Sequence, residues 1–164
     1  MSTLSVLVAA QGAQSLAGAY SQSQALQAEG AASKTLANAN ARFSDLAADD
    51  AVIRGEKEAV RIKRDTKRLI GSQRVALAAQ GIDVGSGSAL DVQEDTAAFG
   101  ATDAETARNN AWREAMGYKV QAADQRFRGD FAERSSRSAA RSTLLTGGLQ
   151  AINYGAQAYY LRNK

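Results

Sequence analysis

Three acidic side chains, Asp91, Glu94 and Asp95, stand close together in the sequence and could form a carboxylate site. On a helix, Asp91 and Asp95 would share a face, as two metal ligands or an acid–base pair do. If a helix begins just before these residues, their negative charges would also stabilise it by interacting with the positive N-terminal end of its dipole. The chain has no histidine and no cysteine, which excludes most zinc sites and the catalytic triads built on those residues. We therefore interpret the carboxylates as structural and predict no enzyme, no metal site and no cofactor.

The segment GIDVGSGSA, residues 81–89, has the glycine content of a phosphate-binding loop. It lacks the lysine of such loops and no strand precedes it, so we predict a tight reversal of the chain instead. Clustered glycines supply the positive φ values that a reversal needs, and a serine with an acid three residues later is a typical start of a helix. The predicted turn residues are Gly81, Gly85, Gly87, Ser88 and Asp91.

The elements on either side of this turn are predicted to be helices. The chain has no proline, is rich in alanine and is only 6% aromatic, which favours helices over a compact core of large side chains. We expect an all-α fold, a long antiparallel helical hairpin with additional terminal helices, assembled as a homo-oligomeric ring or tube. The predicted segments are a charge-free amphiphilic N-terminal helix (1–30), a first long helix (31–80), the turn (81–88), a second long helix (89–141) and a charge-free amphiphilic C-terminal helix (142–164).

Two stripes of apolar residues at helical spacing indicate that both long segments are helical. The stripe on the first helix comprises Leu36, Ala39, Phe43, Leu46, Ile53 and Val60. The stripe on the second helix comprises Ala97, Ala101, Ala104, Ala111, Ala115, Tyr118 and Ala122. Small residues of this kind suit a close antiparallel pairing.

Charge is segregated along the chain. The segment 54–74 is mainly basic, and the segment 83–106 contains acids and no base. A reversal near residue 84 would place residue i opposite residue 169 − i, with Arg74 near Asp95 and with Lys67 and Arg68 near Asp103. The two blocks are therefore expected to neutralise each other across the hairpin.

A further basic block outweighs its neighbouring acids and has no obvious partner. It comprises Arg126, Arg128, Arg134, Arg137 and Arg141. Such a block could line a path for DNA through non-specific phosphate contacts, although a solvated helix face is the commoner explanation. No aromatic residues are interleaved with the basic block at 54–74, as base stacking would require.

The two ends of the chain are free of charge over residues 1–28 and 142–161. No basic residue precedes the short apolar run at the start, and the glutamines that follow it are too polar for a membrane span, so we expect no signal peptide and a protein that is soluble as made. Small residues spaced by four, and tyrosines beside Arg162, favour close helix packing or an interfacial membrane anchor. A helix packed in a soluble oligomer, or a frayed terminus, is the alternative. The candidate helix-packing or membrane-facing residues are Leu4, Val6, Leu7, Val8, Ala9, Ala13, Leu16, Ala17, Leu144, Leu145, Gly148, Ile152, Gly155, Tyr159 and Tyr160.

The run QRVALAAQGIDVGSGSALDVQEDTAAFGATDAETARNNAWREAMGYKVQA, residues 73–122, resembles the small internal virion proteins, or ejection proteins, of short-tailed phages. The shared pattern is an alanine-rich helix, the glycine-rich turn, and an acidic alanine-rich helix with ARNNAWREA and a tyrosine soon after. The charge-free start with GAQSLAGAYS is also similar. The order of segments is similar over most of the chain, and distinctive residues are shared over about a third of it. The resemblance implies no catalytic residue.

The resemblance implies a protein that is packed inside the virion, leaves through the tail and reassembles in the host envelope. There it would form part of a channel for genome delivery in the outer membrane or periplasm. The implied partners are further copies of itself, other ejection proteins, portal or tail proteins, the host outer membrane and transiting DNA. Two alternatives remain open: a virion core, scaffold or head–tail adaptor protein that stays in the particle, and a non-specific DNA-binding packaging protein.

Overall fold

The computed structural model describes the backbone of residues 3–162 and the side chains of residues 6–8 and 10–160. Two helices account for nearly all of this part of the chain, α1 from Thr3–Ala79 and α2 from Gly87–Arg162. They lie antiparallel and contact each other as a hairpin, and the described residues contain no strand. The predicted all-α hairpin is confirmed.

The additional terminal helices are not present as separate elements. α1 continues through Glu29 and Gly30, and α2 continues through Arg141, although the charge pattern changes at both places. A change in side-chain charge does not interrupt the backbone hydrogen bonds of a helix, and no proline removes one. Gly30 is buried inside α1, where it faces Ser136 of α2, so packing across the hairpin holds the helix at this weak point.

The hairpin divides into two compact units. Unit 1 contains the part of α1 up to Ala41 and the part of α2 from Ala123 onward. Unit 2 is Arg42–Ala122 and includes the turn.

The buried surface between the helices, here called the seam, consists almost entirely of small residues. In unit 2 the seam comprises Ser44, Ala48, Ala51, Gly55 and Ala59 of α1 and Ala89, Gln93, Gly100, Ala104, Ala111, Ala115 and Ala122 of α2. In unit 1 it comprises Gly12, Ala19, Ser23, Gly30 and Ala41 of α1 and Gly129, Ala140 and Gly147 of α2. A Cβ atom added to Gly129 would lie 2.7 Å from the Cβ atom of Ala37, which shows how closely the helices approach. Such an approach excludes large side chains from the seam.

The apolar stripe of α1 lies on a helix, as predicted, but it does not form the seam, since all of its members are exposed. They are Leu36, Ala39, Phe43, Leu46, Ile53 and Val60. The predicted stripe on α2 holds in part: Ala104, Ala111, Ala115 and Ala122 are buried and Tyr118 packs against the seam, whereas Ala97 and Ala101 are exposed. Large apolar residues marked the wrong face because the helices meet through their smallest side chains.

The register differs from the prediction by three residues, nearly one helical turn. The facing pairs Ala37 and Gly129, Gly55 and Ala111, and Ala19 and Gly147 each have residue numbers that sum to 166. The last residue of α1 and the first of α2, Ala79 and Gly87, have the same sum. The centre of the reversal is thus residue 83 and not the midpoint of the glycine cluster.

Gly81 ends α1 in the left-handed conformation, with a φ of 75°. The Ile82 amide donates to the Leu77 carbonyl at 3.1 Å, and the Gly81 amide donates to the Ala78 carbonyl at 3.0 Å. These two bonds form a Schellman motif, which satisfies carbonyls at the end of the helix. Gly87, with a φ of 59°, starts α2.

The predicted start of α2 at Ser88 is wrong by one residue. Ser88 lies inside α2 instead of capping it, so Asp91 is the fifth residue of that helix, and Gly85 lies in the turn as predicted, without a positive φ. The polar contacts of the turn are made by Asp83, whose carboxylate accepts the Gly85 amide at 2.9 Å and the Ser86 hydroxyl at 2.8 Å. An aspartate that bonds its own backbone two residues on is a common way to stabilise such a loop.

Candidate functional site: the charge-free end of the hairpin

The two charge-free stretches lie side by side in unit 1. Because the numbers of facing residues sum to 166, residues 142–161 of α2 stand opposite residues 5–24 of α1. All of residues 5–24 belong to the N-terminal charge-free stretch. Gly12 lies against Tyr154, with 3.5 Å from an added Cβ atom to the Tyr154 Cβ atom, and Gly147 lies against Ala19. One end of unit 1 therefore carries no Asp, Glu, Lys or Arg on either helix over these residues.

One side of this end is polar but uncharged. A shallow groove of about 380 Å³ runs between the helices, and its hydroxyl and amide groups come from both of them. The groove is lined by Ser15, Gly18, Ala19, Gln22, Ser142, Thr143, Thr146, Gly147 and Gln150. Residues three or four positions apart share a helix face, so Gln11, Asn153 and Gln157 extend the same stripe, here called the neutral stripe.

The opposite side of this end is apolar and exposed. Its largest members on α2 are Leu145, Ile152 and Tyr159, of which Leu145 and Ile152 keep 70% and 71% of their surface accessible. Leu16 and Tyr20 lie on the corresponding side of α1 and are also exposed. Tyr159 and Tyr160 meet edge to face, with ring centroids 6.3 Å apart. The charge-free end is thus amphipathic as a two-helix unit.

Most of the sequence-predicted residues of this end face outward and do not pack between α1 and α2. Val6, Leu7, Ala13, Leu16, Ala17, Leu144, Leu145, Ile152, Gly155, Tyr159 and Tyr160 are exposed, and Val8 and Gly148 are half-buried. The side chains of Leu4 and Ala9 lie outside the described ones. The residues that do pack, Gly12, Ala19 and Gly147, were missed. The signal on α1 was the recurrence of small residues at steps of three and four, at Gly12, Ser15, Ala19 and Ser23.

The basic block from Arg126 to Arg141 is less free than predicted. Arg128 pairs with Asp124 at 2.9 Å and Arg137 with Glu133 at 2.7 Å, each four residues apart on α2. All five arginines of the block are exposed, so they remain available to solvent.

A cross-helix ion pair lies beside this block. Lys34 of α1 reaches Asp130 at 2.9 Å and Glu133 at 3.0 Å. The Lys34 hydrogen bond and charge lower the pKa of Asp130, and the two carboxylates raise the pKa of Lys34. This lysine, which the sequence did not single out, holds α1 against α2 in unit 1.

The predicted charge pairs of unit 2 are also wrong. Arg74 donates to Gln93 and not to Asp95, and Arg68 pairs with Asp65 of its own helix at 3.4 Å and not with Asp103. The pairs that do cross the hairpin are Arg54 with Glu114 at 2.7 Å, Arg108 with Glu56 at 2.9 Å, and Lys119 with Asp45 and Asp49 at 3.4 Å. The shift in register accounts for the difference.

Within residues 3–162 no three acidic side chains come close enough together to hold a metal ion. None of the described helices has a segment apolar enough to cross a membrane. Comparison of the chain with protein-family models, curated proteins and solved structures gives no match.

Proposed function

We propose that this protein is an internal ejection protein of a short-tailed phage. It is stored in the virion, leaves through the tail and assembles in the host envelope as part of a channel for the genome. The observation that carries the proposal is the charge-free end of unit 1, where two stretches far apart in the sequence combine into an amphipathic hairpin end. The resemblance of residues 73–122 to ejection proteins supports the same function.

In the proposed channel, several copies turn the neutral stripe toward a lumen and the apolar side toward lipid. The lipid contact is made by one side of the hairpin end and not by a helix that is apolar all round. DNA phosphates bind lysine and arginine strongly, so basic side chains along the lumen would retain the genome. Carboxylates would repel it, whereas hydroxyl and amide groups do neither. An uncharged polar stripe is therefore suited to the passage of a polyanion.

The same construction suits the proposed passage through a narrow tail. The chain has no cysteine and therefore no disulfide, and among the described residues the seam is made almost entirely of alanine, glycine and serine. Helical contacts are local in sequence and re-form quickly. Other ejection proteins, portal or tail proteins and the host outer membrane are the partners of this proposal.

Matched lysine substitutions on the two sides of the charge-free end test the proposed channel. Leu145→Lys with Ile152→Lys places charge on the apolar side, and Thr146→Lys with Asn153→Lys places the same charge on the neutral stripe. We expect wild type to release dye from liposomes and the first variant to lose both vesicle binding and release. The second should still bind and should form channels in planar bilayers with selectivity shifted toward anions, because a lining cation repels cations.

Circular dichroism of each variant controls for loss of helix. Wild type that forms stable rings but releases no dye would instead indicate a virion core, scaffold or head–tail adaptor protein. Salt-sensitive DNA binding that disappears on replacing Arg134, Arg137 and Arg141 by alanine would indicate a packaging protein.

A further inference from the structure

The two helices of unit 2 each have an outer edge that faces away from the seam. On α1, Leu46, Ile53 and Lys57 each lie two residues from a seam residue on both sides, so they are turned by about 200° from it. On α2, Asp91 lies in the same way between the buried Ala89 and Gln93. All of these outer residues are exposed.

The outer edge of α1 carries unpaired positive charge. Residues 42–79 contain nine basic and six acidic side chains, a net charge of +3. All six acids form ion pairs, with partners on α1 or across the seam. The exposed bases of α1 that form no ion pair with another described residue include Lys57, Lys63, Arg64 and Lys67. They line shallow surface grooves around Val60.

The outer edge of α2 carries the opposite charge. Residues 87–122 contain three basic and six acidic side chains, a net charge of −3. Only Glu114 among these acids pairs with a described base. The remaining acids are all exposed and comprise Asp91, Glu94, Asp95, Asp103 and Glu105. The excess basic charge of α1 and the excess acidic charge of α2, which the sequence predicts to pair across the seam, thus lie on the exposed sides and outer edges of the two helices.

The two edges also match in height along the hairpin. By the register of 166, Leu46 of α1 is level with Val120 of α2, and these side chains are 63% and 65% exposed. Ile53 is one residue from the level of Trp112, which is 60% exposed. Arg113 also faces outward on α2 at this height.

Nearer the turn, both edges change from apolar to charged. Glu105 stands at the level of residue 61, within one helical turn of Lys63 and Arg64. Asp95 stands at the level of residue 71, about one turn, or roughly 6 Å, from Lys67. Leu46 and Ile53 are thus level with exposed apolar residues of α2, and Lys63, Arg64 and Lys67 lie within about one turn of the level of an acid.

We propose that unit 2 binds a second copy of this chain side by side, with the α1 edge of one copy against the α2 edge of the next. The inference rests on the self-assembly in the proposed function and names its interface. The binding partner is a second copy of this chain because the α1 edge and the α2 edge of unit 2 are complementary. They carry opposite charge, and their apolar and charged residues lie at corresponding positions along the helix axis. A contact between two different surfaces repeats from copy to copy and generates a ring if the rotation closes.

Charge reversal tests this interface. Lys63→Glu, Arg64→Glu and Lys67→Glu together make both edges acidic, and Glu94→Lys, Asp95→Lys and Glu105→Lys together make both edges basic. We expect wild type to sediment as an oligomer at low salt, and each reversed variant to sediment alone near the monomer mass of 17.2 kDa. An equimolar mixture should assemble again, because every edge then meets an opposite one. A chain carrying all six changes should also assemble.

The outcomes separate this inference from the proposed function. If the single reversals assemble as wild type does, or if the mixture stays monomeric although both variants keep their helix content, the edge contact is wrong. Assembly through another surface would then remain, and the vesicle experiments would stand unaffected. Wild type that is monomeric at low salt and at tens of micromolar would overturn both the interface and the assembly of the proposed channel.

Discussion

Glycines in this hairpin fall into two kinds with opposite roles. Gly55 lies in the seam, where an added Cβ atom would collide with the Cβ atom of Ala111, while Gly71 on the same helix has no atom within 4 Å of an added Cβ atom. The first glycine allows the helices to approach each other. The second only weakens its helix, since glycine is about 1 kcal/mol less favourable than alanine there.

The substitutions Gly55→Ala and Gly71→Ala separate these roles at the scale of single residues. Both remove the same helix penalty, but only Gly55→Ala overpacks the seam, which typically costs about 1–3 kcal/mol. In urea denaturation we expect Gly71→Ala to have a higher free energy of unfolding than wild type. The free energy of unfolding of Gly55→Ala should be lower than that of Gly71→Ala by about 1–3 kcal/mol. Equal stability of the two variants would show that the seam is looser than the structure indicates.

At the scale of elements, the turn sets the register that every cross-helix contact shares. Gly81 ends α1 and Gly87 starts α2, and between them Asp83 bonds the Gly85 amide and the Ser86 hydroxyl. Gln93 adds a tie from α2, because its side-chain amide donates to the Val84 carbonyl at 3.0 Å. Seven residues with defined hydrogen bonds thus fix the pairing of two helices of 77 and 76 residues.

The turn should be sensitive to acid through Asp83. The hydrogen bond from the Gly85 amide, followed by that from Ser86, lowers the pKa of this carboxyl. A lowered pKa in the folded state means that the stabilisation is present above the unfolded value of about 3.9 and is lost as the pH falls through the folded value. We expect an NMR titration of the Asp83 carboxyl carbon to give a pKa below 3.9 and Asp83→Asn to speed exchange of the Gly85 amide. A pKa at or above 3.9 would contradict these bonds.

At the scale of the whole molecule, the charge-free end exists only as a pair of helices. Residues 142–160 owe their packing to α1, through Gly12 against Tyr154 and Ala19 against Gly147. An isolated helix of about this length is only marginally stable in water, and its glycines lower that stability further.

Removal of residues 1–28 should therefore release the far end of the chain as well. We expect hydrogen exchange of residues 142–160 to rise toward that of an unprotected helix, while residues 42–122 keep their protection. The full-length Leu145→Lys variant is the control, since Leu145 is exposed and leaves the seam intact. Unchanged protection of residues 142–160 after the deletion would show that this helix is stabilised by something other than α1.

The sequence by itself determined the helical hairpin, the place of the turn and the charge-free ends, but not that each helix runs unbroken into its charge-free stretch. Helix propensity, the absence of proline and the glycines at 81 and 87 are local properties, so they can be read without knowing what packs against what.

Only the tertiary structure decided which face of each helix is buried. The seam selects the smallest side chains because they allow the closest approach, which leaves Leu46, Ile53 and their like outside. A register three residues from the predicted one then broke the expected ion pairs. These outcomes depend on the fit of one helix against the other, which no single stretch of sequence contains.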